Sequence, residues 1–170
     1  MTTTADLSVS VADLLRRPGH RRPLAMRAPV DELALSTSGV PAGADVELDL
    51  VLEAVGDTIV VIGSVTAPWR GECRRCLRPI EGRVTVPVHE LFERRPTEGE
   101  NYRLDQEHID LEPLAREAVL RELPQAPLCR PDCAGLCPVC GADRNEVDCG
   151  CSIDARDPRW AALDDLRFDR

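Results

Sequence analysis

Hydrophobic and polar positions alternate most cleanly over residues 45–53. Val46, Leu48, Leu50 and Leu52 fall on one face and Glu47, Asp49 and Glu53 on the other, with Val51 the one interruption. Successive side chains of a strand point to opposite faces, so this is a strand with one buried and one wet face. Gly56-Asp57 follows as a two-residue hairpin turn, glycine taking the positive φ at the first central position, and the return strand runs from Thr58 to about Ala67. A third strand is predicted where Val84, Val86 and Val88 alternate with Arg83, Thr85, Pro87 and His89. Pro87 has no N–H for a ladder, which puts that strand at an edge or a bulge.

The period changes at residues 110–123. Leu111, Leu114, Ala115, Ala118, Val119 and Leu123 recur at three- and four-residue intervals behind Asp110 as cap, which predicts a helix with one apolar stripe turned to a core; Pro124 and Pro127 end it. Elsewhere the pattern is weaker. Residues 8–17 predict a short strand or helix stopped by Pro18-Gly19, the basic stretch to Pro29 a loop, and residues 93–109 an acidic connection without periodicity. Asp157-Pro158 starts a short helix carrying Trp160, Leu163 and Leu166. The expected fold is α+β, an antiparallel sheet of about three to five strands with one packed amphipathic helix and a cysteine-rich, zinc-binding C-terminal module. Residues 1–128 form the α+β domain with the first cysteine pair, 129–156 the cysteine-rich module and 157–170 the short helix.

Eight cysteines change the picture. They fall as four close pairs, Cys73 with Cys76, Cys129 with Cys133, Cys137 with Cys140, and Cys149 with Cys151. Zinc takes four ligands tetrahedrally and is held in structural sites by two short thiolate knuckles, so four pairs supply two sites with none left over. The specific signal is Cys137-Pro138-Val139-Cys140-Gly141, whose glycine lets the backbone fold behind the sulfurs. Cys73-Arg74-Arg75-Cys76 repeats the spacing and alone is ambiguous with a redox pair; the other six cysteines decide for metal. Cys149-Gly150-Cys151 needs a bend at Gly150 to converge on one ion. A disulfide framework requires an oxidising compartment, but Met1-Thr2-Thr3-Thr4-Ala5-Asp6 has no basic start or apolar core, so no secretory signal is expected. No apolar run approaches the ~18 residues of a membrane span, and the expected location is the cytoplasm. An all-thiolate site leaves no position for water, which favours a structural over a catalytic ion; iron–sulfur ligation is the alternative metal chemistry. His89 and His108 are read as surface residues rather than ligands.

Composition and charge add less. Aromatic residues make up 3% of the 170-residue chain, so the core is built from Val, Leu, Ile and Ala, and metal sites compensate for its thinness. Every basic residue is arginine, and the net charge of −9 is the wrong sign for indiscriminate coating of nucleic acid. Arginines nevertheless cluster: Arg16, Arg17, Arg21, Arg22 and Arg27 against Asp13, and Arg70, Arg74, Arg75, Arg78 and Arg83 against Glu72 and Glu81. Either they are solvated surface or they fork RNA phosphates bidentately, with Arg74, Arg75, Arg78, Arg16 and Arg17 the candidate contacts.

Leu14-Leu15-Arg16-Arg17-Pro18-Gly19, Cys73-Arg74-Arg75-Cys76-Leu77, Leu111 to Leu123 followed by Pro127-Leu128-Cys129, and Gly135-Leu136-Cys137-Pro138-Val139-Cys140-Gly141 with Cys149-Gly150-Cys151 together resemble the bacterial YceD family of large-subunit ribosomal RNA accumulation proteins. The resemblance covers most of the chain and identifies an actinobacterial-like member with an extra cysteine cluster. It implies a cytoplasmic, non-enzymatic factor needed for normal 23S ribosomal RNA levels through large-subunit assembly. Ribosomal RNA, a subunit precursor or a ribosomal protein would be its partner, with neither a membrane nor a small-molecule substrate involved. It also implies the cysteine pairing, Cys73, Cys76, Cys129 and Cys133 in one site and Cys137, Cys140, Cys149 and Cys151 in the other. Loop closure cost rises only logarithmically with length, so the long first loop is compatible with this, and the swapped pairing stays open. Two other function classes compete. Thiol redox or zinc-dependent catalysis is weakened by the lack of any Ser/His/Asp arrangement, phosphate loop or His-Glu metal motif, and a zinc-ribbon regulator by the lack of a basic recognition helix.

Overall fold

The computed structural model describes residues 7–97 and 99–152. In chain order the elements are β1 (Ser8–Ser10), α1 (Ala12–Leu15), β2 (Arg21–Pro29), β3 (Ser38–Gly39), β4 (Asp45–Val55), β5 (Thr58–Glu72), β6 (Pro79–Glu93), β7 (Tyr102–Asp105), β8 (His108–Asp110) and α2 (Glu112–Glu122). The alternation over 45–53 forms β4 as expected, with Val46, Leu48, Leu50, Leu52 and Ala54 buried. Gly56 turns the chain at φ 61° into β5, whose Ile59, Val61, Val65 and Ala67 fill the same face. β5 and β6, which form the next hairpin, both run further than their sequence pattern indicated, β5 to Glu72 and β6 from Pro79 to Glu93.

Among the described residues the sheet holds eight strands rather than three to five, in the order β1-β8-β7-β6-β5-β4-β2, with β3 on the far end of β5. Two corrections account for most of the difference. The basic stretch before Pro29 is β2, not a loop: it pairs with β4 from Arg21↔Glu53 to Pro29↔Asp45. Pro23 and Pro29 read as breakers, yet β2 ends the strand order, and a strand with one open edge tolerates prolines that donate nothing. Residues 93–109 are not featureless either, since they contain β7 and β8, each burying one apolar side chain, Leu104 and Ile109. β7 pairs with β6 in parallel at Phe92↔Tyr102 and Glu93↔Arg103, the one departure from antiparallel order. Pro87 sits on β6 below that short pairing, on a stretch of strand bonded on one side only, as its missing N–H demands.

The sheet is curled until its two edge strands meet. Arg22 of β2 donates from Nη2 to the Ser10 carbonyl of β1 at 2.7 Å and from Nη1 to Asp13 Oδ1 of α1 at 2.7 Å. The enclosed face forms the main core, and α2 lies against β5 and β6 with Leu114, Ala115, Ala118 and Val119 turned into it. The N-cap of α2 is Leu111 rather than the expected Asp110, whose Oδ1 accepts the Glu112 N–H at 2.9 Å from one residue further out. The C-terminal end of α2 is tied to the β3 segment by the Ser38 hydroxyl, which donates to the Pro124 carbonyl at 2.7 Å. α1 and α2 are the helices among the described residues, so the fold is more strand-rich than α+β implied. The helix expected from Asp157 with Trp160, Leu163 and Leu166 lies outside the described residues.

Candidate metal centre

The β5–β6 ladder closes at Glu72↔Pro79, and residues 73–78 form the tip of this hairpin. The Cys73 N–H donates to the Arg78 carbonyl and the Leu77 N–H to the Cys73 carbonyl, each at 2.8 Å, so the tip is a tight double turn with both sulfurs on its inner side. Its last step puts Leu77 at φ 57°, a left-handed conformation uncommon for leucine. Beyond α2, the chain passes beside this tip, where the Arg74 N–H reaches the Pro127 carbonyl at 3.0 Å. Cys129 and Cys133 thereby meet Cys73 and Cys76. The four Sγ atoms lie within 4.8 Å of one another, with Cys73–Cys133 at 3.8 Å and Cys76–Cys129 at 3.7 Å. Cys73, Cys76 and Cys133 are buried, packed with Ile80, Leu128 and Leu136 in a small core of their own.

Cys137, Cys140, Cys149 and Cys151 form the second cluster, again within 4.8 Å. Its first knuckle repeats the hairpin tip: the Cys137 N–H donates to the Ala142 carbonyl and the Gly141 N–H to the Cys137 carbonyl, each at 2.8 Å, with Gly141 at φ 75° where the first knuckle has Leu77. Gly150, at φ 63°, supplies the bend that lets Cys149 and Cys151 converge. The structure thus assembles the pairing implied by the family resemblance rather than the swapped one.

Both clusters fit a single tetrahedral ion. A disulfide brings sulfurs to about 2.05 Å, far closer than these thiols. A zinc ion with four sulfurs at about 2.3 Å defines a tetrahedron whose edges are about 3.8 Å, matching the 3.7 and 3.8 Å separations in the first cluster and falling within the 4.8 Å limit of the second. In a multi-iron cluster the thiolates bind different irons and stand further apart, which the common 4.8 Å limit does not suit. Thiol acidity suits a cation too. Burial pushes the Cys73 thiol up, but N–H groups of Cys129, Cys76 and Arg75 aimed at its sulfur outweigh it and bring it down to about 6. Backbone N–H groups of Cys140 and Val139 bring Cys137 to about 6 as well. Cys129, pushed up by burial and by the neighbouring Cys133, rises to about 12, and Cys151 rises to about 12 beside Cys140 and Cys149. Each cluster therefore combines a ready thiolate with thiols that ionise when an ion neutralises their mutual repulsion.

The candidate RNA-binding arginines are not brought together. Arg74 and Arg75 are exposed on the hairpin tip, yet Arg75 Nη1 donates to the Cys133 carbonyl at 2.9 Å. Arg78 Nη2 contacts Glu146 Oε1 at 2.7 Å and Asp143 Oδ2 at 3.3 Å, and these two carboxylates hold its guanidinium firmly protonated. Arg74 alone of the three makes no side-chain hydrogen bond or ion pair among the described residues. Arg16 and Arg17 sit near the opposite end of β5: the Gly19 N–H just after them bonds the Ala54 carbonyl beside the β4–β5 turn, and Arg16 lies 3.8 Å from Glu107. The remaining arginines of β2 face acids, Arg21 on Glu53 at 2.8 Å and Arg27 on Glu47 at 3.6 Å. His89 and His108, exposed on β6 and β8, join neither cluster.

The family described as "Large ribosomal RNA subunit accumulation protein YceD" matches residues 61–167, a span containing all eight cysteines. The chain belongs to the YceD family. It is 41% identical over 166 residues to an uncharacterized protein of Mycobacterium tuberculosis, covering 92% of this chain and 79% of that one. An uncharacterized Mycobacterium bovis protein matches at the same 41% identity and coverage. One from Mycobacterium leprae is 37% identical over 165 residues, covering 92% of this chain and 75% of its own. No solved structure matches the chain significantly.

Sequence reasoning missed one group in this YceD chain, the residues between the two halves of the second cluster. Asn145 Nδ2 donates to Cys133 Sγ at 3.4 Å, and Asp143 pairs with Arg78. The only sequence trace of this is Asp143-Arg144-Asn145, in which Asp143 Oδ1 accepts the Asn145 N–H at 2.9 Å as a side-chain-capped turn. Nothing in that pattern points to a cysteine ten or more residues upstream.

Proposed function

We propose that this protein is a non-enzymatic, zinc-binding factor that acts in the cytoplasm in large ribosomal subunit assembly and supports 23S ribosomal RNA accumulation. The family match over residues 61–167 carries this reading, because it spans both cysteine clusters and the helix that separates the two halves of the first. Two zinc ions serve as structural staples. The first, on Cys73, Cys76, Cys129 and Cys133, would tie the β5–β6 tip to the chain leaving α2, and the second, on Cys137, Cys140, Cys149 and Cys151, would close the segment beyond. Four thiolates leave no open coordination position, which supports a structural rather than a catalytic role.

Ribosomal RNA or a large-subunit precursor is the partner, with a ribosomal protein as intermediary the alternative route. Arg74 is the leading phosphate contact, since it is exposed at a rigid tip while Arg75 and Arg78 serve the fold. Deleting the gene should lower large-subunit relative to small-subunit ribosomal RNA; an unchanged ratio sinks the reading. In cells carrying Arg74→Ala, association with precursor particles should weaken, its salt dependence should fall by about one phosphate contact, and zinc content should stay intact. If Arg74→Ala and an Arg16→Ala/Arg17→Ala double variant both associate and restore the ratio like the parent, the contact runs through protein instead. Thiol redox chemistry is the second reading, favoured by the Cys73 thiol at about 6. It predicts one cysteine alkylated rapidly in zinc-loaded protein, where the structural reading predicts protection until chelation.

A further inference from the structure

The segment joining the two halves of the second cluster is docked on the first. The Arg144 N–H bonds the Gly135 carbonyl at 2.9 Å, and the Leu136 N–H bonds the Arg75 carbonyl at 2.9 Å, so this segment and the hairpin tip share a seam. From it Asn145 uses both ends of its amide. Oδ1 accepts the Ala134 N–H at 2.8 Å and Arg130 Nη2 at 2.8 Å, fixing the backbone directly after Cys133. Nδ2 donates to Asp143 Oδ1 at 2.6 Å and to Cys133 Sγ at 3.4 Å. Asp143 and Glu146 in turn hold Arg78 of the first knuckle.

We propose that the two clusters form one cooperative metal-binding unit, in which Asn145 is the positioning residue that transmits loading of the Cys137, Cys140, Cys149 and Cys151 cluster to the Cys133 sulfur of the other. This rests on the metal-binding reading above. An ion in the second cluster fixes Cys140 against Cys149, and residues 143–146 lie within the loop so closed. Ordering that loop in advance removes the entropy cost of presenting the Asn145 side-chain amide Nδ2 to Cys133, whose thiolate gains a donor when it ligates. The effect is reciprocal by linkage: zinc on the first cluster tightens the second by the same factor.

Native mass spectrometry of the full chain at one equivalent of zinc tests the unit as a whole. Zinc-free and two-zinc chains should dominate; a population dominated by one-zinc chains overturns the proposal. Chelator competition followed by alkylation, mapping which cysteines zinc still protects, reads each cluster separately. In Asn145→Ala, zinc protection of Cys73, Cys76, Cys129 and Cys133 should be lost at chelator about 10- to 100-fold lower than in the parent, with two ions still bound at saturation. In Cys149→Ser/Cys151→Ser the first cluster should weaken likewise, and adding Asn145→Ala to that pair should weaken it little further, as expected of changes along one route. Unchanged first-cluster protection in Asn145→Ala that still binds two zinc ions overturns the coupling and leaves the metal reading standing. A parent chain binding no zinc overturns the metal reading and the proposal together. Should Asn145→Ala not fold, Arg78→Ala separates the loop from the tip without touching a sulfur, and it must weaken the first cluster in the same direction.

Discussion

Leu77 and Gly141 occupy the same step of two near-identical turns, at φ 57° and 75°, yet one is leucine and the other glycine. A left-handed conformation costs an L-residue roughly 1–2 kcal/mol, and glycine nothing of the kind. Leu77 is 58% exposed and loses little packing if shortened, and space around Gly141 is open, so backbone conformation dominates both substitutions. Leu77→Gly should leave the protein as stable as the parent or up to about 1 kcal/mol more so, the strain relieved being partly offset by the extra freedom glycine brings to the unfolded chain. Gly141→Ala should cost about 1–2 kcal/mol for the same reason reversed. Urea unfolding midpoints of zinc-loaded protein measure both. A clear loss of stability in Leu77→Gly would mean that the leucine side chain holds a contact worth more than its strain.

At the scale of elements, β4 was legible because a long strand with one wet face repeats its signal five times, β5 because it returns from the Gly56-Asp57 turn, and α2 because six apolar residues from Leu111 to Leu123 share its stripe. β7 and β8 were not, since strands of four and three residues bury one apolar side chain each, too few for a period to emerge. β2 was hidden differently: Pro23, Pro29 and three arginines spell a loop locally, and only its place at the end of the strand order makes them acceptable. Gly63 is the counterpart in β5, a glycine inside a strand that sequence reading passed over. It pairs with Leu50 at φ 153°, and a Cβ there would lie 2.1 Å from the Asp49 carbonyl oxygen and 2.8 Å from Leu50 Cα. Both are backbone atoms of the central partner strand and cannot step aside singly. Gly63→Ala should therefore break the β4–β5 pairing at mid-length, at a cost on the order of 3 kcal/mol or more. Thermal unfolding reads this as a large fall in midpoint or as insoluble protein; a near-parental midpoint would mean that the two strands can part locally without losing the core.

At the scale of the whole molecule, the described residues form two cores of different origin. One is the aliphatic interior of the curled sheet under α2, and the other is the sulfur-centred cluster of Cys73, Cys76 and Cys133 with Ile80, Leu128 and Leu136. The cysteine spacing announced the second core from the sequence, because few side chains other than thiolates recur in such pairs for any packing reason. The network that joins the clusters was silent there: a single asparagine and two carboxylates carry it, and such residues are common on any wet surface. This division sets what metal removal does. The sheet interior contains no ligand, and its strands pair through β4, β5 and β6 without help from the tip. Among the described residues, the segment after α2 has no regular element beyond an isolated bridge between Leu136 and Asp143, so its order depends on the ligands, the Asn145 contacts and the ion pairs to Arg78. Chelation of zinc under reducing conditions should release amide protons at residues 73–78 and 127–149 while those of β4 and the Thr58 half of β5 stay protected, because the structural ion contributes folding energy only where its ligands lie. Hydrogen exchange read by mass spectrometry distinguishes this from uniform loss of protection, which would make the ions the foundation of the entire sheet rather than a staple across its open end.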